Sequence, residues 1–518
     1  MAIYDYFLDS VERFADKTAV IFKDEKLTYS ELSNQVTSMV LLMQSMGIRK
    51  GSHIALVLDS CPCFTVILLA VSSLGAVLVP VSTGLKSDSL RKAVLSSDSQ
   101  YIIGFNKALM NLIGNGADIQ GITRDCMMVL DKEIKGAWFL DCNNVHVLKN
   151  TFEYGGDVDE LGDYILTMTS GSTGEPKPIV LSQKTKIDRA LIGARDLYGL
   201  DDSDVIICAS PMYHSLGMRL ALLPIMIGAT SVILPKFNPT NWLNAIEKHS
   251  VTFTISVSTH LEPILSKLDS HNYDIGSLRK IVSSSARLDN SIKEKCKAYL
   301  NCDFHECYGT SEVGIATNIS CDDHINSDKC IGKAVAGVDI RIVDANGKRL
   351  PNGDIGEIAC ASNTAFSCYY KKNIETEKCH IDGYFLTGDL GWLDHEGYLY
   401  LTGRKKDIII VGGFNVYPTD VEEVITKCNG VKGCSVIGVD DEYFGEVVLA
   451  VLEGDQKDID ILNIRRKCSK YLAEYQQPIA YEVVDKLPTN QIGKVMKKVL
   501  KEKFEGYDAT ATLRALIK

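Results

Sequence analysis

The run Thr169-Ser170-Gly171-Ser172-Thr173-Gly174-Glu175-Pro176-Lys177 sets two glycines, four hydroxyl side chains and a lysine between two apolar segments. Glycines let backbone N–H groups turn toward an anion, hydroxyls add donors, and a lysine neutralises charge. That chemistry suits a polyphosphate. It is not a Walker loop, because Lys177 is followed by Pro178 rather than by Ser or Thr. Pro178 also steers Lys177 away from helical dihedrals. Tyr164 to Met168 and Ile179 to Leu181 read as strands, so the expected unit is strand, phosphate loop, strand. A Gly/Ser/Thr-rich stretch alone also fits a plain turn, and the decision falls to other segments.

Four of these follow in order: Tyr308-Gly309-Thr310-Ser311-Glu312, Tyr384-Phe385-Leu386-Thr387-Gly388-Asp389, Gly403-Arg404-Lys405-Lys406-Asp407 and Pro488-Thr489-Asn490-Gln491-Ile492-Gly493-Lys494. With the first loop they resemble the adenylate-forming superfamily of acyl-CoA synthetases, peptide-synthetase adenylation domains and luciferases. The resemblance runs from about residue 10 to about residue 500 and is carried by the ordered set rather than by any one motif. It implies an α/β fold: a large N-terminal AMP-binding domain over 1–403 with doubly wound sheets, a β-rich subdomain over about 333–400, and a mobile α+β lid over 404–518.

Activating a carboxylic acid with ATP requires a cradled triphosphate, a held Mg²⁺, a fixed ribose and neutralised charge as the carboxylate attacks the α-phosphorus. By the resemblance Thr169, Ser170, Gly171, Ser172, Thr173, Gly174 and Lys177 form the cradle. Glu312 is the expected Mg²⁺ ligand, since that hard cation takes carboxylate oxygen and keeps several waters. Tyr308, followed by Gly309, would stack on adenine, and Ser311 would touch the α-phosphate. Asp389 would accept the ribose hydroxyls, as an acidic residue does in dinucleotide folds. Arg404 would add a ribose or phosphate contact with its fork of donors. Lys494 would bridge the substrate carboxylate and the α-phosphate.

His214, in Pro211-Met212-Tyr213-His214, matches the family's gate at the acyl pocket. Amino-acid-activating relatives carry an aspartate near there, so an α-amino acid is not the expected substrate. Lys406 is the expected hinge, about which the lid turns once the adenylate has formed. Gly412 to Pro418 resembles acyl-CoA synthetases, with glycines that would let a pantetheine arm pass.

The chain departs from the family pattern in places. Pro178 replaces a glycine and Gln183 a histidine. Ser283-Ser284-Ser285-Ala286-Arg287-Leu288 stands where many relatives have Ser-Gly-Gly-Ala-Pro-Leu. Ser284 and Ser285 would narrow the adenine and acyl pockets and make them more polar, which argues against an ordinary long-chain fatty acid. Ile410 occupies a position where coumarate ligases and luciferases have lysine.

The leading expectation is therefore an acid:CoA ligase using ATP, Mg²⁺ and coenzyme A. The alternative shares the adenylation but passes the acyl group to an amino-acid amine or a carrier-protein phosphopantetheine. A non-catalytic nucleotide-binding protein is the remote third reading.

Length and composition agree with a large globular ligase. The 518 residues suffice for about three structural units, with 46% apolar content. A formal charge of −11 argues against nucleic acid as the main partner. The longest apolar stretch, Val66 to Val71, is too short to span a bilayer, and the acidic N-terminal segment does not read as a signal peptide. Sixteen scattered cysteines without zinc-like spacing read as reduced, mostly buried thiols of a cytoplasmic protein. No oligomeric state is indicated.

The elements that must position these residues are also legible. Thr28 and Glu31 form a capping-box pattern before a helix that stops at Gly47. A strand over His53 to Leu58, a helix over Pro62 to Leu74 ended by Gly75, and a strand over Ala76 to Val81 follow. That rhythm implies parallel strands covered by helices. It resumes with strands near Val205 to Cys208, Thr230 to Leu234, Phe253 to Val257 and Lys280 to Ser283. Short strands dominate from Lys333 to Tyr400, and a second capping box is expected at Thr419 and Glu422.

Overall fold

The structure, a computed structural model, describes residues 1–113, 122–141, 154, 158–170, 176–285, 288, 290–323, 327, 329–441, 443–490 and 493–509. The chain forms two compact units. The first comprises Met1–Asp328, Ala334–Asp339 and Ala361–Gly383, and the second Lys329–Lys333, Ile340–Cys360 and Tyr384–Lys518.

Two sheets build the first unit. One runs in the order Cys368–Tyr369, Pro176–Ser182, Asp163–Ser170, Val77–Pro80, His53–Val57, Tyr101–Gly104, Met127–Val129, Trp138–Phe139. Its first two pairings are antiparallel and the rest parallel. The other has a parallel run through Thr18–Phe22, Thr230–Ile233, Val205–Cys208, Phe253–Val257, Lys280–Ser284 and Asp303–Thr310. Gly314–Ser320 pairs antiparallel with Asp303–Thr310. This is the doubly wound α/β arrangement expected from the alternating elements.

Local chemistry explains the frame. In the helix Tyr29–Ser45, the Glu31 N–H donates to Thr28 Oγ1 at 3.1 Å while the Thr28 N–H donates to Glu31 Oε2 at 2.8 Å. The helix Pro62–Leu74 has proline at its first position, and Gly75 ends it at φ +61°, a left-handed conformation that suits glycine. Its apolar residues are buried all round, with Phe64 fully enclosed. Truncating such a phenylalanine to alanine costs about 3–5 kcal/mol.

In the second unit, the strands Gly356–Ser362, Tyr384–Leu393, Tyr398–Arg404 and Cys330–Ala334 pair antiparallel in that order. A further sheet has Gly445–Glu453 flanked by Gly433–Asp441, Ile409–Val411 and the parallel strand Ala480–Val484. Helices Pro418–Thr426 and Ile461–Tyr471 cover it over a core that includes Ile425, Val436, Val448, Leu452 and Ile464.

The expected capping box at Thr419 and Glu422 does not form. Pro418 takes the first helical position and makes Tyr417 the cap. The Thr419 hydroxyl instead donates to the Thr402 carbonyl. Glu422 accepts from the Val436 N–H at 2.8 Å and Lys497 Nζ at 2.7 Å. Long-range partners take both side chains away from the helix terminus.

Among the described residues no helix is long and apolar enough to cross a membrane. The fifteen described cysteines are all free, most of them buried.

Candidate active site

The strands Asp163–Ser170 and Pro176–Ser182 form an antiparallel hairpin in which Thr169 faces Lys177 and Met168 faces Pro178. Lys177 is thus extended, as Pro178 requires. Gly171, Ser172, Thr173 and Gly174 lie outside the described residues, and Thr169 and Ser170 are described in their backbone alone. Lys177 Nζ stands 5.5 Å from the centroid of the Tyr369 ring, a cation–π distance. Tyr369 Oη donates to Glu312 Oε1 at 3.0 Å. One tyrosine therefore connects the phosphate-loop lysine to the expected metal ligand.

Arg189, on the helix Gln183–Leu191, fixes the turn that carries Glu312. Its Nε donates to the Thr364 carbonyl at 2.8 Å, Nη1 to that of Ser311 at 2.9 Å and Nη2 to that of Glu312 at 2.8 Å. The Phe366 N–H adds a bond to the Glu312 carbonyl at 2.6 Å. Burial, and then repulsion from Arg219, lower the Arg189 pKa to about 9, against the pull of the Glu312 carboxylate. Ahead of this turn, half-buried Tyr308 faces Thr317 across the sheet. A Cβ on Gly309 would lie 1.8 Å from the Gly314 carbonyl oxygen, so the strands close only over glycine.

Among the described residues no group of three or more His, Cys, Asp or Glu side chains could hold a metal. A lone carboxylate in the Glu312 position suits Mg²⁺, which takes one or two carboxylates plus substrate phosphates and water. It does not suit zinc, which needs three or four protein ligands.

His214 is the residue before the helix Ser215–Ile227. Burial lowers its pKa, so the ring stays neutral, and its buried Nε2 has no hydrogen-bond partner among the described residues. Ser284 ends its strand, and its side chain hydrogen-bonds Cys307. Ser285 sits at φ +80°, a conformation that glycine holds without strain. Gln183 is a structural anchor: its Oε1 accepts from the Ile3 N–H at 2.9 Å and Ser72 Oγ at 2.6 Å.

The remaining expected residues gather in the second unit. Asp389 and Arg404 oppose each other on paired strands, with Arg404 Nε 2.9 Å from Asp389 Oδ1. The Asp389 N–H donates to Thr387 Oγ1 at 3.1 Å, and Glu357 accepts from the Gly388 N–H at 3.1 Å and from Lys405 Nζ at 2.8 Å. Lys405 is thereby tethered. Lys406 beside it is exposed and has no hydrogen-bond or ion-pair partner among the described residues.

Lys494 follows a tight turn in which the Gly493 N–H donates to the Asn490 carbonyl at 3.0 Å. The Lys494 N–H itself donates to Asn490 Oδ1 at 2.9 Å. The side chain keeps contact with solvent. Partial desolvation, and then the neighbouring Arg404 guanidinium, lower its pKa to about 8, with Asp389 opposing. Elsewhere in this unit Gly412, Phe414, Phe444, Arg465 and Tyr475 line a cavity of about 970 Å³.

Residues 7–370 match the AMP-binding enzyme family, and residues 420–494 match the AMP-binding enzyme C-terminal domain. The chain belongs to the AMP-binding enzyme family. This AMP-binding enzyme is a ligase of the adenylate-forming superfamily. It is 28% identical to a long-chain-fatty-acid–CoA ligase of Bacillus subtilis, over 95% of this chain and 93% of the relative. It is 28% identical to a 2-succinylbenzoate–CoA ligase of Oceanobacillus iheyensis, over 93% and 95%. The crystal structure of ATP-bound MatB from Rhodopseudomonas palustris superposes with a TM-score of 0.85 at 27% identity, covering 98% of this chain and 99% of that one.

For an AMP-binding enzyme the chemistry divides naturally. In the first unit the structure groups Lys177 and Glu312 through Tyr369. In the second it groups Asp389, Arg404 and Lys494. Sequence reasoning missed Arg189 and Tyr369, whose roles come from contacts 122 and 57 positions away along the chain. The single arginine in the otherwise apolar run Ser215 to Ile227 was an available signal that passed unread.

Proposed function

We propose that this enzyme converts a carboxylic acid and ATP to an acyl-adenylate and pyrophosphate, then transfers the acyl group to the thiol of coenzyme A. The observation that carries this reading is Lys494 set beside the Asp389–Arg404 pair. In the first step the Asp389 carboxylate accepts the ribose hydroxyls and Arg404 holds it in place. The Lys494 ammonium bridges the acid's carboxylate and the α-phosphate, stabilising charge where it develops. Glu312, oriented by Tyr369 and Arg189, would hold Mg²⁺, which neutralises the triphosphate. Tyr308 stacks on adenine, and Ser311, Ser284 and Ser285 border the nucleotide and the acid.

In the second step a lid comprising residues 404–518 turns about Lys406, withdrawing Lys494. The tethering of Lys405 and the freedom of Lys406 support a pivot at that point. The cavity beside Gly412 has room for a pantetheine arm. A second reading keeps the adenylation and gives the acyl group to an amine or a carrier protein. It is favoured by Ile410, an exposed apolar side chain where coumarate ligases and luciferases have lysine.

Mass spectrometry of products from ATP, Mg²⁺, a pool of carboxylic acids, coenzyme A and mixed amino acids separates these readings. An acyl-CoA mass supports the first. An acyl–amino-acid mass replaces it with an amide synthetase, and acyl-AMP alone points to a carrier protein.

A further inference from the structure

Lys186 and Arg219 pose an electrostatic problem that the adenylation chemistry does not answer. Lys186 lies on the helix Gln183–Leu191 and is only 4% exposed. Arg219 lies on the helix Ser215–Ile227, which packs against it, and is only partly buried. Neither side chain has a hydrogen-bond or ion-pair partner among the described residues. Each lies within electrostatic reach of other groups, and for Lys186 those groups are Arg189 and Arg219, both cations. The groups facing Arg219 are the Cys307 thiol and the Tyr198 phenol. Burial drives both of these toward their neutral forms, so neither supplies a counter-charge.

Arg189 differs, because three carbonyls and the Glu312 carboxylate surround it. A guanidinium cannot shed its proton at neutral pH. Burial, and then the two arginines, lower the Lys186 pKa well below the ordinary lysine value, so without an anion beside it the amine sheds its proton readily. The location is informative. Cys307 hydrogen-bonds Ser284 and directly precedes Tyr308, and the helix of Arg219 begins at His214. The two unpaired basic side chains thus adjoin the residues expected to border the acid.

We propose that Lys186 and Arg219 form an anion subsite for a second, distal carboxylate of the acid, so that the substrate is a dicarboxylic acid. The proposal rests on the acid-activating reading above. One carboxylate attacks the α-phosphorus and displaces pyrophosphate, while the other stays ionised against the two cations. Binding gives the Arg219 guanidinium a counter-charge and favours the protonated form of Lys186, so that both donate charge-assisted hydrogen bonds. A monocarboxylic acid of equal length leaves both basic groups without that partner, and polar groups left unpaired in a site discriminate strongly between substrates.

The test is ATP-dependent pyrophosphate release with length-matched pairs of dicarboxylic and monocarboxylic acids. The wild type should favour the better dicarboxylate by on the order of 100-fold in kcat/KM. Lys186→Met and Arg219→Met should each collapse that ratio at least about tenfold, and Arg219→Lys, which keeps the charge, should retain most of it. A wild type that treats both acids alike, or prefers the monocarboxylate, overturns the subsite and leaves adenylation standing. Variants that lose both acids equally while the KM for ATP rises also overturn it, because the cations then serve the triphosphate. Release with no acid at all overturns both readings. Melting curves accompany each variant, and where one fails to fold the wild-type ratio decides.

Discussion

Tyr369 Oη donates a hydrogen bond to Glu312 Oε1 at 3.0 Å, and its ring lies under Lys177 Nζ at 5.5 Å. One side chain thereby orients the expected Mg²⁺ ligand and backs the phosphate-loop lysine. Burial, and then the Glu312 carboxylate, hold the phenol protonated, so it remains a donor across the physiological range.

Tyr369→Phe keeps the ring and deletes the bond. A hydrogen bond to a charged group contributes about 1.5–3 kcal/mol, so the KM for Mg-ATP should rise about tenfold or more. Pyrophosphate release measured across a Mg²⁺ titration reads this directly. An unchanged Mg²⁺ dependence would remove Tyr369 from the metal's support.

Arg189→Met would remove a donor from three carbonyls in a buried place, leaving that of Glu312 only the Phe366 N–H. The expected loss is about 3 kcal/mol or more of stability, seen as a lower midpoint in denaturant. A fall in kcat should accompany it, because the Ser311–Glu312 turn loses its brace. Arg189→Lys can restore only part, since an ammonium cannot span three acceptors with a planar fork. Equal activity of the two variants would show that the brace is dispensable.

In its proposed role Lys494 acts protonated, and its pKa is lowered to about 8. Below that pH it is charged and competent; above it the proton leaves. The kcat/KM for ATP should therefore fall on an alkaline limb beginning near pH 8. Bound phosphate and carboxylate favour the charged form, so the limb in kcat should lie at higher pH. Lys494→Ala should abolish adenylate formation yet spare transfer from supplied acyl-AMP. Equal loss in both assays would sink the assignment.

Ser285 holds φ +80°, where a side chain costs about 1 kcal/mol relative to glycine. Ser285→Gly should raise the melting temperature by about 1 °C in a chain of this length. It should also widen the acids accepted, because a hydroxymethyl group leaves the pocket border. A drop in stability would mean that the hydroxyl makes a contact worth more than the strain.

Much of the fold was legible because its punctuation is local. Pro62 and Gly75 mark both ends of their helix, Thr28 and Glu31 form their box, and the expected phosphate loop is flanked by the strands that its residue types suggest. The box at Thr419 and Glu422 failed for the opposite reason. Both side chains found partners far along the chain that no pattern of spacing encodes. The same limit hid Arg189 and Tyr369, whose chemistry exists only once distant turns meet. Asp389, Arg404 and Lys494 were readable from the resemblance alone. Their proximity came from a cross-strand pair and a tight turn.

The cysteines carry a consequence for the chemistry itself. An acyl-adenylate acylates any thiolate it meets, and this chain holds sixteen thiols. Burial pushes Cys208, Cys296 and Cys302 up to about 12, and it raises Cys307, next in sequence to Tyr308. At pH 7 a thiol with such a pKa is ionised about once in a hundred thousand molecules. At these four thiols self-acylation is suppressed by hydrophobic enclosure rather than by any absence of nucleophiles, which favours an acceptor that arrives from outside.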